Sequence, residues 1–100
     1  VVENEAQLAA VERGRQGFET RACFACHTIE GTAARGTAGP NLTDIGARTT
    51  IAAGILENTP ENLARWISDP QAIKPGSLMP RVGLTDDELR DVVAFLSSLR

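Results

Sequence analysis

The sequence predicts an all-α fold of three main helices, one or two shorter ones and long loops. Three observations carry this. Apolar residues recur at helical spacing in three separate stretches. No segment sustains the period-two alternation of a half-buried strand. Runs rich in glycine, proline and threonine separate the helical stretches. No repeat, low-complexity tract or interdomain linker interrupts the 100 residues. The chain therefore reads as one domain over residues 4–100, with residues 1–3 a frayed end or the stub of a linker.

The first helix is expected to start near Asn4, which can cap it, with Gln7 at the capping-box position three residues on. Leu8, Val11, Gly14 and Phe18 then fall on one face. A glycine inside a helix costs about 1 kcal/mol against alanine. On an apolar face, however, it lets a second helix approach closely. From Gly31 to Gly46 the chain reads as a long loop with one helical turn at Leu42–Ile45, and Thr49 to Leu56 is expected to hold a second short helix. Thr59 caps the next helix and Pro60 suits its first position; Leu63, Trp66 and Ile67 share a face, and Pro70 stops it. Residues Gln71 to Gly83 are expected to be irregular. The last helix carries a full capping box, Thr85 with Glu88, and a staple pair, Leu84 with Leu89. Its buried stripe is Leu89, Val92, Val93, Leu96 and Leu99, with Phe95 beside it.

Hydrophobic residues make up 42 % of the chain, but fourteen of them are alanine and only 26 are Leu, Ile, Val, Phe, Met or Trp. So thin a core in so small a domain suggests that a non-protein group completes it. Thirteen acidic residues outnumber ten basic ones and there is no basic run, which excludes a nucleic-acid partner by charge. No stretch approaches the ~20 apolar residues that span a bilayer. The chain opens Val1-Val2-Glu3 with no leader visible, as a domain cut from a longer chain or a protein relieved of its signal would.

The two cysteines and the one histidine fall together in Cys23-Phe24-Ala25-Cys26-His27. Cys-x-x-Cys-His is the attachment motif of c-type haem. Each thiol adds across a porphyrin vinyl group to form a thioether, and the spacing lets one turn of chain span both vinyl positions. The histidine that follows is then held beneath the iron as an axial ligand. A redox dithiol would need no histidine there and prefers a βαβ context. A zinc site would normally offer two separated ligand pairs. For the second axial position the candidate is Met79, the only methionine. It also reads as core filler. Its setting, between Pro75-Gly76 and Pro80 in a loop joining two helices, better suits a rigid ligand. His/Met ligation suits electron transfer, and with both axial positions filled no substrate reaches the iron.

Over residues 4–100 the order of these features resembles a class I cytochrome c: a helix, Cys-x-x-Cys-His, Gly39-Pro40-Asn41-Leu42, a Trp-bearing helix, a Met loop and a final helix. "GTAGPNLTDIGART", "NTPENLARWISDPQAIKPGSLMP" and "LTDDELRDVVAFLSSL" resemble, more closely, the C-terminal cytochrome c domain of subunit II of certain bacterial haem–copper oxidases. The resemblance implies the class I cytochrome c fold around one haem c bound through Cys23 and Cys26, with His27 and Met79 on the iron. It implies that the carbonyl of Pro40 accepts the N–H of His27, a position that also reads as a plain turn. It implies that Arg48 lies near a haem propionate, where solvated surface charge is the other reading. Trp66 matches a tryptophan whose indole N–H reaches a propionate, and it reads equally as the largest core side chain. Gly14 and Phe18 match positions that cross the last helix at Phe95 and Leu96.

Two departures stand out. There is no tyrosine to supply the hydroxyls found around haem in mitochondrial relatives. A single lysine, Lys74, stands against nine arginines, so docking through a lysine ring is not expected. An apolar pocket lined by Phe18, Leu42, Trp66, Leu78 and Phe95 is expected, with Arg21, Lys74 and Arg81 either rimming the haem edge or simply solvated. The function expected is one-electron transfer, with no catalysis by the domain itself. The donor would be an external redox protein. The acceptor would be the dinuclear copper domain of the same subunit, whose parent is membrane-anchored and faces the periplasm. A free periplasmic electron shuttle, and a haem sensor or enzyme with an open iron, are the alternatives.

Overall fold

Two helices from opposite ends of the chain cross at the centre of the molecule: α1 (Glu5–Thr20) and α5 (Asp86–Ser97). The computed structural model describes residues 5–20 and 23–100. The expected cap at Asn4, the terminal residues 1–3 and Arg21 lie outside them. Glycine makes the crossing close. A Cβ on Gly14 would stand 2.0 Å from the carbonyl oxygen of Asp91 and 2.7 Å from Cβ of Phe95. One turn on, the rings of Phe18 and Phe95 meet at 6.1 Å, tilted by 59°. At the rim Arg13 donates to both carboxylate oxygens of Asp91, at 3.0 and 3.2 Å. This raises the arginine's pKa above its ordinary value. On the exposed side of α1, Arg15 pairs with Glu12 and Glu19, and its hydrogen bonds to Glu12 hold that carboxyl below the usual carboxylate range.

The helix ends follow the sequence signals. Thr85 Oγ1 accepts the Glu88 N–H at 3.2 Å while Glu88 Oε1 accepts the Thr85 N–H at 3.0 Å, closing the capping box of α5. Thr59 caps α3 (Pro60–Ser68) by accepting the Asn62 N–H at 3.1 Å. Pro70 ends the run of α3, as expected, but itself opens a further turn, α4 (Pro70–Ile73), so the first residues of the expected irregular stretch are helical. With the one-turn α2 (Cys23–Cys26), this gives three main helices and two short ones.

The stretch 49–56 is a correction. It holds an antiparallel hairpin of two-residue strands, β1 (Thr50–Ile51) and β2 (Leu56–Glu57), with Thr50 opposite Glu57 and Ile51 opposite Leu56. Thr49, Thr50 and Ile51 are β-branched, and the turn passes through three left-handed residues, Ala52 (φ 54°), Ala53 (φ 58°) and Gly54 (φ 88°). Burial of Ile51 in the core offsets that local strain. Asn58 anchors the hairpin, its side-chain amide donating to the carbonyls of Ile45 and Arg48 at 2.8 and 2.9 Å. The helical turn expected at Leu42–Ile45 begins with the Ile45 N–H bonded to the Leu42 carbonyl and runs on as a 3-10 turn over Ile45–Ala47.

The core draws on all of these elements. Phe18, Leu63, Ile67, Val92, Val93, Phe95 and Leu96 come from the main helices. Ile29, Ala34, Leu42, Ile45 and Ile51 come from loops, the 3-10 turn and the hairpin.

Candidate functional site

α2 is a single turn, closed by the His27 N–H on the Cys23 carbonyl at 3.1 Å. The i, i+3 spacing puts Cys23 and Cys26 on one face of that turn, both half-buried thiols. His27 follows at once and is 9 % exposed. Its Nδ1 lies 2.7 Å from the Pro40 carbonyl oxygen. A carbonyl only accepts, so Nδ1 carries a proton, which in the neutral imidazole leaves the lone pair on Nε2. Nε2 makes no hydrogen bond to a described residue, and it is the atom a metal would take.

The loop after the motif is folded to hold this ring. The Gly39 N–H donates to the Cys26 carbonyl at 2.6 Å and the Gly36 N–H to the His27 carbonyl at 3.0 Å. Thr28 Oγ1 donates to the Gly36 carbonyl at 2.7 Å. Gly39 lies flat against the imidazole; a Cβ there would stand 2.5 Å from Cε1 and 2.8 Å from Nδ1. Phe18 also packs near it, with ring centroids 6.3 Å apart and 47° between planes. The histidine is thus fixed in tautomer by Pro40 and in orientation by Gly39 and Phe18.

The remaining predicted residues divide. Met79 and Trp66 are half-buried and pack on the same core cluster as Cys23. The Trp66 indole N–H has no hydrogen bond to a described residue. Arg48 braces its own loop, pairing with Asp44 at 2.9 Å and donating to the Asn41 carbonyl at 2.5 Å. Leu78 departs from the expected lining. It is 94 % exposed. Half-buried Ser77 and Met79 flank it, so the alternation of this segment turns it outward. Phe18, Leu42 and Phe95 are buried, as expected. Lys74 and Arg81 are exposed and form no ion pair with a described residue.

Two side chains of the site region escaped sequence reasoning. Gln71 reaches from α4 into the Met79 segment, and Asn58 ties the hairpin down. Neither carried a signal in the sequence, since the type of an amide side chain does not mark its partner.

The donor set suits an iron porphyrin. It offers two thiols on one helical face, an imidazole with one nitrogen fixed and the other open, and a thioether packed on the same apolar cluster. A zinc centre finds less support, since no group of three His, Cys, Asp or Glu among the described residues is placed to hold a metal ion. The redox-dithiol reading prefers a βαβ context, and the only sheet among the described residues is the short hairpin.

Comparison with known proteins agrees with this geometry. The family model described as Cytochrome c matches residues 11–100. "Cytochrome c oxidase subunit 2" of Alkalihalophilus pseudofirmus is 43 % identical over 89 residues, 88 % of this chain but 25 % of the relative. The chain thus spans about a quarter of that relative's length. "Cytochrome c2" of Rhodopila globiformis is 34 % identical over 101 residues, 87 % of this chain and 91 % of the relative. Among solved structures, the c-type cytochrome SorU from Sinorhizobium meliloti superposes with a TM-score of 0.65, covering 92 % of each chain at 23 % identity. The chain belongs to the cytochrome c family, with the class I fold and covalently bound haem c as its cofactor.

Proposed function

We propose that this domain is the electron-entry module of subunit II of a terminal oxidase. It takes single electrons from an external redox protein and passes them to the dinuclear copper domain of the same subunit, on the outer face of the membrane. Electron transfer is the family's activity, and the domain by itself is a carrier rather than an enzyme. The bound haem iron supplies the one-electron change between ferric and ferrous. Cys23 and Cys26 would fasten the group through thioethers, and His27 Nε2 and Met79 Sδ would be its iron ligands.

The observation that carries this reading is the clamped imidazole. The Pro40 carbonyl accepts the Nδ1 N–H, so His27 would present Nε2 to a bound iron in one fixed orientation. A site that does not rearrange moves electrons quickly. Met79 packs on the apolar core cluster, so its thioether would meet the group in an apolar setting. The oxidase setting is supported by the kinship with "Cytochrome c oxidase subunit 2". A free electron shuttle is the second reading, favoured by the length of the "Cytochrome c2" relative that the chain covers.

The visible spectrum of the reduced protein, recorded with and without carbon monoxide, tests the ligand set. A sharp c-type spectrum unchanged by the gas is expected, and Met79→Ala should make it respond. A response from the wild-type protein would mean an open iron and overturn the carrier reading. Immunoblotting of native membranes separates the two settings. A band at the size of a full subunit in the membrane fraction supports the oxidase module, and a band near the 10.6 kDa of this chain in the soluble fraction supports the shuttle.

A further inference from the structure

The segment that carries Met79 has little backbone to hold it. Pro75 and Pro80 have no N–H to give. Apart from the Ser77 N–H on the Lys74 carbonyl at 3.1 Å, no backbone–backbone hydrogen bond ties residues 75–80 to any other described residue. A ligand on so loose a segment would detach readily from its metal, because ordering each residue costs about 1–2 kcal/mol.

One side chain supplies what the backbone lacks. Gln71 projects from α4, and its Nε2 donates to the Ser77 carbonyl at 2.6 Å and to Ser77 Oγ at 3.0 Å. The same nitrogen lies 3.5 Å from the Met79 carbonyl. Its Oε1 accepts the Gly76 N–H at 2.9 Å. The Gly76 N–H can only donate, so the orientation of the amide is fixed and both its ends are used. α4 is itself closed onto the segment by the Lys74 N–H on the Pro70 carbonyl at 2.8 Å.

We infer that Gln71 is a positioning residue for the axial methionine: its amide clamps the turn before Met79 and keeps the thioether on the iron. This rests on the reading of Met79 as a ligand. Gln71 is exposed and takes no part in the buried core, so its removal should act on the segment and not on the fold. Losing one clamp of this kind should raise the population with Met79 detached about tenfold.

The test uses the haem-loaded protein and its Gln71→Ala variant. Three quantities are read: the weak red absorption band of ferric iron bound by a thioether, the pH at which that band bleaches on titration to alkali, and the reduction potential. In Gln71→Ala the band should weaken, its bleaching midpoint should fall by about one pH unit, and the potential should drop. The urea midpoint should stay close to wild type. Ser77→Ala removes the hydroxyl acceptor but keeps the bonds to the Ser77 carbonyl and the Gly76 N–H, and should fall between wild type and Gln71→Ala in every reading. If Gln71→Ala does not assemble with haem, Gln71→Glu takes its place. The carboxylate keeps the acceptor for Gly76 but loses the donor to Ser77, and should weaken the band in the same way. An unchanged band, midpoint and potential in either Gln71 variant would overturn the inference, as would an equal effect from Ser77→Ala. A wild-type protein that lacks the band would instead overturn the reading of Met79 as ligand.

Discussion

His27 gives its Nδ1 proton to a backbone carbonyl, not to a carboxylate, and that choice bears on the iron. A neutral acceptor polarises the imidazole less than an anionic one, so Nε2 would be a weaker donor to an iron it held, which would favour the reduced state. The geometry leaves no slack for the ring, since Gly39 sits where any side chain would strike it. Gly39→Ala places a Cβ 2.5 Å from Cε1. Either the imidazole tilts off the Pro40 carbonyl or the loop retreats. We expect a loss of about 1–3 kcal/mol in stability, the usual cost of overpacking a tight site, together with a shifted potential. Denaturant unfolding and a redox titration measure the two; a variant with wild-type values in both would show that the contact matters little. At this scale the sequence was legible where chemistry restricts residue type. Cys23, Cys26 and His27 admit few readings, and the Pro40 carbonyl stands within hydrogen-bonding distance of His27. Arg48 and Gln71 were not legible, because a surface arginine or glutamine carries no mark of its partner. Arg48 spends its guanidinium on Asp44 and Asn41, partners within its own loop, and Gln71 reaches across a turn that only the folded chain defines.

The crossing of α1 over α5 is the element on which the rest of the fold is hung, and Gly14 is its pivot. Phe18 reaches both Phe95 on α5 and His27 beside α2, so the distance between the two helices also sets where the histidine stands. Gly14→Ala would put a Cβ 2.0 Å from the Asp91 carbonyl oxygen, a backbone atom that cannot swing aside. The helices must separate. Helix propensity would favour alanine by about 1 kcal/mol, yet we expect net destabilisation of about 1–3 kcal/mol. Urea unfolding decides the sign, and a variant as stable as wild type would remove Gly14 from the pivot. By contrast the Arg13–Asp91 pair at the rim is largely solvated and should contribute little. The helices were readable because their signals are local: an apolar stripe, a cap, a proline. The hairpin at 50–57 was not, because strands of two residues are too short for alternation to register. Its turn runs through alanines whose left-handed geometry nothing in their type announces. A short helix was expected there; β-branching and the left-handed turn decided otherwise.

For the molecule as a whole, the question is whether the polypeptide can hold this shape without its haem. Among the described residues the buried core includes five positions, Ile29, Ala34, Leu42, Ile45 and Ile51, that lie outside the helices. The stretch from Thr28 to Thr49 holds one 3-10 turn and an isolated antiparallel bridge between Thr28 and Arg35, so most of its order comes from side-chain packing and a few loop hydrogen bonds. Fixing each such residue costs about 1–2 kcal/mol in conformational entropy. A domain of this size has net stability of only about 5–15 kcal/mol when everything is in place. A group bound only by the folded state supplies stability that its absence removes. Here the group would also join the Met79 segment to α2 and the histidine loop, which no backbone–backbone hydrogen bond among the described residues links to it. We therefore expect the Cys23→Ala/Cys26→Ala protein, made without haem, to lose its cooperative urea transition and most of its far-ultraviolet helical signal. Residual helix should lie in α1 and α5, whose crossing depends on Gly14, Val92 and Phe95 rather than on the site. Hydrogen exchange would locate it: protection confined to those two helices fits this division. A variant that still unfolds in one sharp transition would show instead that the apolar cluster alone carries the fold, and that the haem is an addition to a finished domain.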